Sequence, residues 1–224
     1  MDIDLHYEAR GSGKPLILLH GNGESGAYFE KQMPVFTKHF HVFAVDTRGH
    51  GQSPRGTAPF TLRQFADDLH DFLQARGIEK AHILGFSDGG NIALLFALRY
   101  PEMVDKLVLN GANLFPAGVR PSVQIPIVLG YRTAKLFRSE EAKQKAALLE
   151  LMVNEPHIDP ASLQHITAET LVIAGTHDMI RTSHTNLIAS SLPHAKLVLL
   201  DGDHFIAAKN AEAFNAEVLR FLTA

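Results

Sequence analysis

Apolar runs of strand length recur along this chain, with helix-patterned segments between them. "PLILLHG" (15–21) and "HVFAVD" (41–46) are almost wholly apolar, as strands covered on both faces are. "AHILGFS" (81–87), "VDKLVLNGAN" (104–113), "ETLVIAG" (169–175) and "AKLVLLDG" (195–202) read as further strands. Strands alternating with helices predict an α/β fold with a mostly parallel central sheet and helices on both faces. "DIDLHYEARG" alternates Ile3, Leu5 and Tyr7 and reads as an edge strand. "TLRQFADDLHDFLQARG" (61–77) is the clearest helix: Thr61 and Gln64 fit a capping box, and Gly77 can close the last turn. Helices are also expected over residues 26–39, 89–100, 182–192 and 211–222.

The alternation stops after residue 113. Residues 114–167 hold five prolines and an amphipathic helix, "SEEAKQKAALLELMV" (139–153). The expected organisation is a core of residues 1–113 and 168–224, interrupted by a short helical lid or cap at 114–167. At 224 residues the chain is long enough for one such domain. A net charge of −3 offers no basic field to attract nucleic acid or an anionic membrane. The absence of cysteine excludes disulfides and thiolate metal sites. The N-terminal "MDIDLHYEARG" lacks the basic and apolar regions of a signal peptide. No apolar run approaches the ~20 residues that span a bilayer. The expectation is a soluble cytoplasmic protein with no cofactor and no metal; monomer and homodimer both stay open.

The stretch "LGFSDGGN" sets Ser87 between Gly85 and Gly89, after a predicted strand and before a predicted helix. That is G-x-S-x-G in the context where a serine sits on a sharp turn with its hydroxyl exposed at the sheet's carboxyl end. A serine hydroxyl needs a base to be nucleophilic at neutral pH, and the base needs a carboxylate to orient it. The expected chain order is serine, acid, histidine. Asp178 follows the strand ending at Gly175, and His204 follows the strand ending near Leu200. Ser87, Asp178 and His204 are therefore the candidate nucleophile, orienting acid and base. His177 is a weaker candidate base, and His82 reads as a packed or surface residue of a strand.

Acyl transfer also needs two donors for the developing oxyanion. The backbone N–H of Asp88, opening a helix, is one candidate. The N–H of Asn22 in "HGNGES" is the other; Gly21 and Gly23 would make a tight turn there, which does not exclude this role.

With these segments in order, the chain resembles the α/β-hydrolase superfamily over nearly its whole length except the insert. "HGNGES" is similar to the family's oxyanion segment. "DTRGHGQS" is similar to its D-x-R-G-x-G-x-S loop, carried here by Asp46, Arg48, Gly49, Gly51 and Ser53; the resemblance implies that this loop buttresses the oxyanion segment. "GFSDGGNIAL" with "LVLNGAN" looks most like the biphenyl-hydrolase-like and amino-acid-ester hydrolase branch. The α/β-hydrolase fold so implied carries the expectation of a cofactor-independent serine hydrolase. It would cleave a small carboxylic ester through an acyl-enzyme. A C–C bond hydrolase, acyltransferase or perhydrolase would use the same triad, and a non-catalytic ligand receptor on this scaffold is a further alternative. The Asp88 side chain could complement the helix dipole or, as the branch implies, pair with a substrate ammonium. Leu148, Leu149 and Met152 on the insert are candidates to line a substrate pocket, with core packing as the rival reading.

Overall fold

The computed structural model describes residues 2–224. The apolar runs form one seven-stranded sheet. Its strands are β1 (Tyr7–Arg10), β2 (Pro15–Leu19), β3 (His41–Val45), β4 (Ala81–Phe86), β5 (Val104–Asn110), β6 (Glu169–Gly175) and β7 (Ala195–Leu200). Their order is β1-β3-β2-β4-β5-β6-β7. β1 is antiparallel at one edge and the other neighbouring pairs are parallel.

Helices cover both faces. α2 (Leu62–Ala75), α3 (Asp88–Arg99) and α6 (Thr182–Ser191) lie on one side; α1 (Met33–Phe36) and α8 (Ala211–Thr223) lie on the other, with α7 (Ile206–Lys209) leading into α8. β2 shows why both faces must be covered. Ile17 and Leu19 enter the core under α2 and α3, while Leu16 and Leu18 enter the opposite core with Phe36 and Phe214. Period-two alternation sends neighbouring side chains to opposite faces, so an all-apolar strand is stable only between two layers.

The chain leaves β2 toward β3 on one side, then returns to place β4 on the other. The carboxyl ends of β2 and β4 thus flank a topological switch point, where open α/β sheets form their ligand crevice. The oxyanion candidate loop follows β2 and Ser87 follows β4.

Local chemistry explains most element ends. The Thr61 hydroxyl accepts from the Gln64 N–H at 3.1 Å and caps α2, but the Gln64 side chain turns to Asp68 at 3.0 Å. Only half of the predicted capping box forms. Gly77, at φ +64°, lets the chain leave α2 in the left-handed region. The helix predicted over 26–39 is not continuous: it splits into a 3-10 turn, Gly26–Phe29, and the short α1. Pro34 supplies the reason. Its ring opposes the carbonyl four residues earlier and it has no N–H to give, so it is tolerated only in a first turn.

Between β5 and β6 the chain builds α4 (Pro121–Ala134) and α5 (Glu140–Asn154). α4 begins at Pro121 and runs through Pro126, so proline density there marks a helix as well as loops. The segment is tied to the core at both ends. Arg120 and Arg181 amides bond to Met179 and Gly118 carbonyls at 2.8 and 2.9 Å. At the far end Glu155 accepts from the first amide of α2, Leu62 N–H, at 2.7 Å. No helix among the described residues is long and apolar enough to cross a membrane.

The closest packing in the sheet is at Gly89. A Cβ there would stand 2.1 Å from the Leu19 carbonyl oxygen and 2.7 Å from that of His20. Both are backbone atoms that cannot rotate aside, so Gly89→Ala must push α3 off β2. We expect a loss of about 2 kcal/mol or more, read as a fall in Tm of roughly 4–8 °C. An unchanged Tm would show that α3 can shift freely.

Candidate active site

Ser87 joins β4 to α3 with φ +53° and ψ −119°. It is the one non-glycine residue at positive φ among the described residues. Such a conformation costs on the order of 1–3 kcal/mol and persists only when its surroundings enforce it. Here they do. The Ser87 N–H is held by the Asn110 carbonyl at 2.8 Å, and its own carbonyl accepts from Gly90 and Asn91 at 2.9 and 3.1 Å. A Cβ on Gly85 would lie 2.2 Å from the Gly89 carbonyl oxygen. The turn is so tight that both flanking positions must be glycine.

β5 brings the second predicted group to the same corner. Asn110 holds Ser87, and the next residue, Gly111, packs against His204: a Cβ there would meet the His204 ring at 2.7 Å. The imidazole also lies against Phe86, the residue before Ser87, with ring centroids 4.9 Å apart. His204 Nδ1 lies 2.7 Å from Asp178 Oδ1, and both side chains are buried. A carboxylate can only accept, so Nδ1 carries the proton and Nε2 presents a lone pair. That Nε2 is buried with no hydrogen-bond partner among the described residues, the Ser87 hydroxyl included. Asp178 is itself fixed, with Oδ1 accepting from the Ile180 N–H at 2.8 Å and its carbonyl accepting from Arg120 Nε at 2.7 Å. His177 is exposed and bonds to the Thr176 hydroxyl, away from this cluster. His82 is buried in β4 facing Asp105.

The loop after β2 reaches the same place. The Asn22 side chain donates to Asp88 Oδ2 and to the Leu148 carbonyl, each at 2.9 Å. It therefore spans the loop, the first turn of α3, and α5 of the insert. The "DTRGHGQS" loop lies behind it. Thr47 N–H donates to His20 Nε2 at 3.0 Å, and Asp46 Oδ1 accepts from the Gly26 N–H at 2.7 Å. Arg48, fully buried, binds both oxygens of Asp68 at 2.6–2.7 Å and Asp2 at 2.6 Å.

The α/β hydrolase fold family model matches residues 14–142, which span the oxyanion candidate loop, the buttress and the elbow. A putative carbamate hydrolase, RutD, of Caulobacter vibrioides (strain NA1000 / CB15N) is 31% identical over 255 residues, covering 97% of this chain and 95% of the relative. This chain belongs to the α/β hydrolase fold family. Among solved structures, a hydrolase from Pseudomonas aeruginosa PA01 superposes with a TM-score of 0.81 at 29% identity, covering 99% of this chain and 95% of that one. The enol-lactonase of Burkholderia xenovorans LB400 shares the fold, with a TM-score of 0.84 at 23% identity over 99% of this chain and 97% of that one.

In this α/β hydrolase the Asp88 carboxylate is the hub of a polar chain. Besides Asn22 it accepts from Asn91 Nδ2 at 3.2 Å. Asn91 is fully buried and bonds twice to Asn113, at 3.0 and 2.8 Å, and Asn113 reaches the Phe115 carbonyl at 3.1 Å, where the insert begins. Asp88 makes no ion pair among the described residues, and burial pushes its carboxyl above the ordinary range. Met152 is partly buried, and its carbonyl accepts from Gln124 of α4 at 3.1 Å. Leu148, one turn earlier, is the insert residue whose backbone touches the site.

Sequence reasoning missed Asn91, Asn113 and the role of His20. "GGN" and "NGAN" carry no signal that their asparagines meet. His20 stood in the quoted "HGNGES", and its place before Gly21 was the available clue. Its Nδ1 donates to the Gly21 carbonyl at 2.7 Å while Nε2 accepts from Thr47, so the ring must be neutral. Burial pushes its pKa down to about 4; burial lowers those of His50, His82 and His184 as well.

These depressed values make the fold acid-sensitive. Below an unfolded-state value near 6.5 the unfolded chain takes up protons that folded His20 refuses. Stability is therefore complete above about pH 6.5 and is lost as pH falls toward 4, by on the order of 3 kcal/mol from His20 alone. Urea midpoints at pH 7, 5.5 and 4.5 should fall in that order. A constant midpoint would mean that the loop gives way and hydrates His20 at no cost.

Proposed function

We propose that this chain is a serine hydrolase that cleaves small carboxylic esters through an acyl-enzyme. Ser87 attacks the carbonyl carbon while His204 Nε2 takes its proton. Asp178 holds the imidazole in the required tautomer and stabilises the imidazolium. The amides of Asn22 and Asp88 receive the oxyanion. His204 then protonates the leaving alcohol, and water activated by the same base releases the acid. The observation that carries this reading is the strained Ser87 next in the chain to Phe86, whose ring packs on a buried imidazole with a free acceptor nitrogen; the Ser87 hydroxyl is not hydrogen-bonded to that nitrogen. Holding a serine at positive φ costs stability, and strain of this kind is found where it positions a reacting group.

A fluorophosphonate probe should label Ser87 of the folded protein stoichiometrically. Ser87→Ala should fold with wild-type Tm or better and lose at least ~10³-fold in kcat on a chromogenic ester. His204→Ala should lose about as much, and the double variant little more, because the two residues act as a unit. Folded protein that neither labels at Ser87 nor turns over any ester in the panel would overturn the reading.

The panel should include carbamates, since the Caulobacter relative carries that name over nearly its full length and a carbamate presents the same kind of carbonyl to the nucleophile. For the acyl group, the unpaired Asp88 carboxylate supports a preference for a cationic substituent. Among the described residues only the neutral amides of Asn22 and Asn91 bond to it, so a substrate ammonium would supply the missing countercharge. Esters with a free α-amino group should outpace their N-acylated forms. Asp88→Asn should lower kcat/KM for the cationic esters about tenfold, near 1.4 kcal/mol, and change neutral esters about twofold. Equal losses on both sets would assign the side chain to the polar chain alone.

A further inference from the structure

The loop after β2 contains an acid that the proposed mechanism does not use. Glu24 closes a four-residue reverse turn with Gly21 through two reciprocal bonds. Its N–H donates to the Gly21 carbonyl at 3.3 Å, and its carboxylate Oε2 accepts from the Gly21 N–H at 3.1 Å. Gly23 stands third in the turn at φ +74°, as a type II turn requires. The Gly21 carbonyl takes a second donor, His20 Nδ1. Both backbone groups of Gly21 are thereby occupied.

The consequence falls on the next residue. Within the turn, the backbone amides of Asn22 and Gly23 are the ones that bond to no acceptor among the described residues. The Asn22 side chain is pinned at both of its N–H groups, to Asp88 and Leu148. The turn itself has little room to move: a Cβ on Gly21 would stand 3.0 Å from Glu24 Oε2 and 3.1 Å from the Phe86 ring. Phe86 is the ring that packs His204. Glu24 has no ion pair among the described residues to explain its burial, and that burial raises its carboxyl above the ordinary range.

We propose that Glu24 is a positioning residue for the oxyanion hole: its carboxylate occupies the Gly21 amide and locks the turn so that the Asn22 amide faces the carbonyl under attack. The inference rests on the serine-hydrolase reading above. It makes the acceptor oxygen and the reach of the side chain the essential features, and the charge dispensable. Without this lock Gly21 N–H is free to compete for the oxyanion, and the turn that carries the Asn22 amide loses one of the two reciprocal bonds that close it.

Two near-isosteric variants separate those features. Glu24→Gln keeps an acceptor at the same reach and removes the charge. Glu24→Asp keeps the charge and falls a methylene short. With thermal unfolding to verify folding, we expect Glu24→Gln to hold kcat within about threefold of wild type. Glu24→Asp should lose roughly 10–100-fold in kcat with KM within about threefold, part of the 10²–10³-fold that removing an oxyanion donor costs. Affinity for a trifluoromethyl ketone, whose hemiketal oxyanion occupies the hole, should fall in parallel with kcat. The reverse order of the two variants, a loss confined to KM, or wild-type kcat in Glu24→Asp would overturn the proposal. Ser87→Ala assayed alongside keeps the two readings apart: wild-type turnover there would remove the serine-hydrolase reading, whatever Glu24 does.

Discussion

Backbone packed directly on backbone at the β4–α3 turn is the constraint from which the rest of the site follows. Gly85 and Gly89 leave no space for even one carbon between α3, β4 and the end of β2. With α3 seated that deeply, Ser87 is forced into the left-handed region, and its N–H must find the Asn110 carbonyl. The same depth puts the first turn of α3 within reach of Asn22, so one contact sets Ser87, the helix dipole and the adjacent loop together. Interiors packed to this density change state as a unit and do not flex by degrees.

Around that corner, polar groups do what a loop cannot do by packing. Residues 20–26 have no apolar layer of their own, and they are strapped to the 46–53 loop by His20 and Asp46 and to α3 and α5 by Asn22. Each strap uses a buried group whose alternative is an unsatisfied donor or acceptor, so breaking one costs more than forming it contributed. This is the physical basis for coupling the insert to the loop after β2: the Leu148 carbonyl and the Asn113–Asn91–Asp88 chain both end on the same carboxylate or its partner.

The charge balance of the site is one-sided. Asp88, Glu24 and Glu155 are held by amide donors with no cation paired to them among the described residues, and burial raises all three. Asp178, by contrast, faces the imidazole at 2.7 Å. A carboxylate paired to amides alone keeps part of its field for whatever enters the crevice. The cationic preference proposed for the substrate is a consequence of that asymmetry.

The sequence by itself determined the layers and the candidate residues of the site. Continuous apolar strands have no stable place except between two helical layers, and G-x-S-x-G between a strand and a helix specifies a tight turn by sterics alone. Ser87, Asp178, His204 and Asn22 could be singled out as candidates because each follows a strand end, and a parallel sheet gathers all its carboxyl ends at one edge. Local pattern misled where prolines intervened: Pro34 broke one predicted helix, while Pro126 was absorbed into α4, a helix the pattern had not marked. The tertiary structure alone decided which groups meet. Asp88 with Asn22 and Asn91, Asn91 with Asn113, and His20 with Thr47 join residues up to 66 positions apart, and nothing in a short-range pattern encodes a contact between loops that only strand order brings together. It also decided that Glu24 closes on Gly21, because a glutamate three residues after a glycine can reach that amide only when the turn between them is already bent.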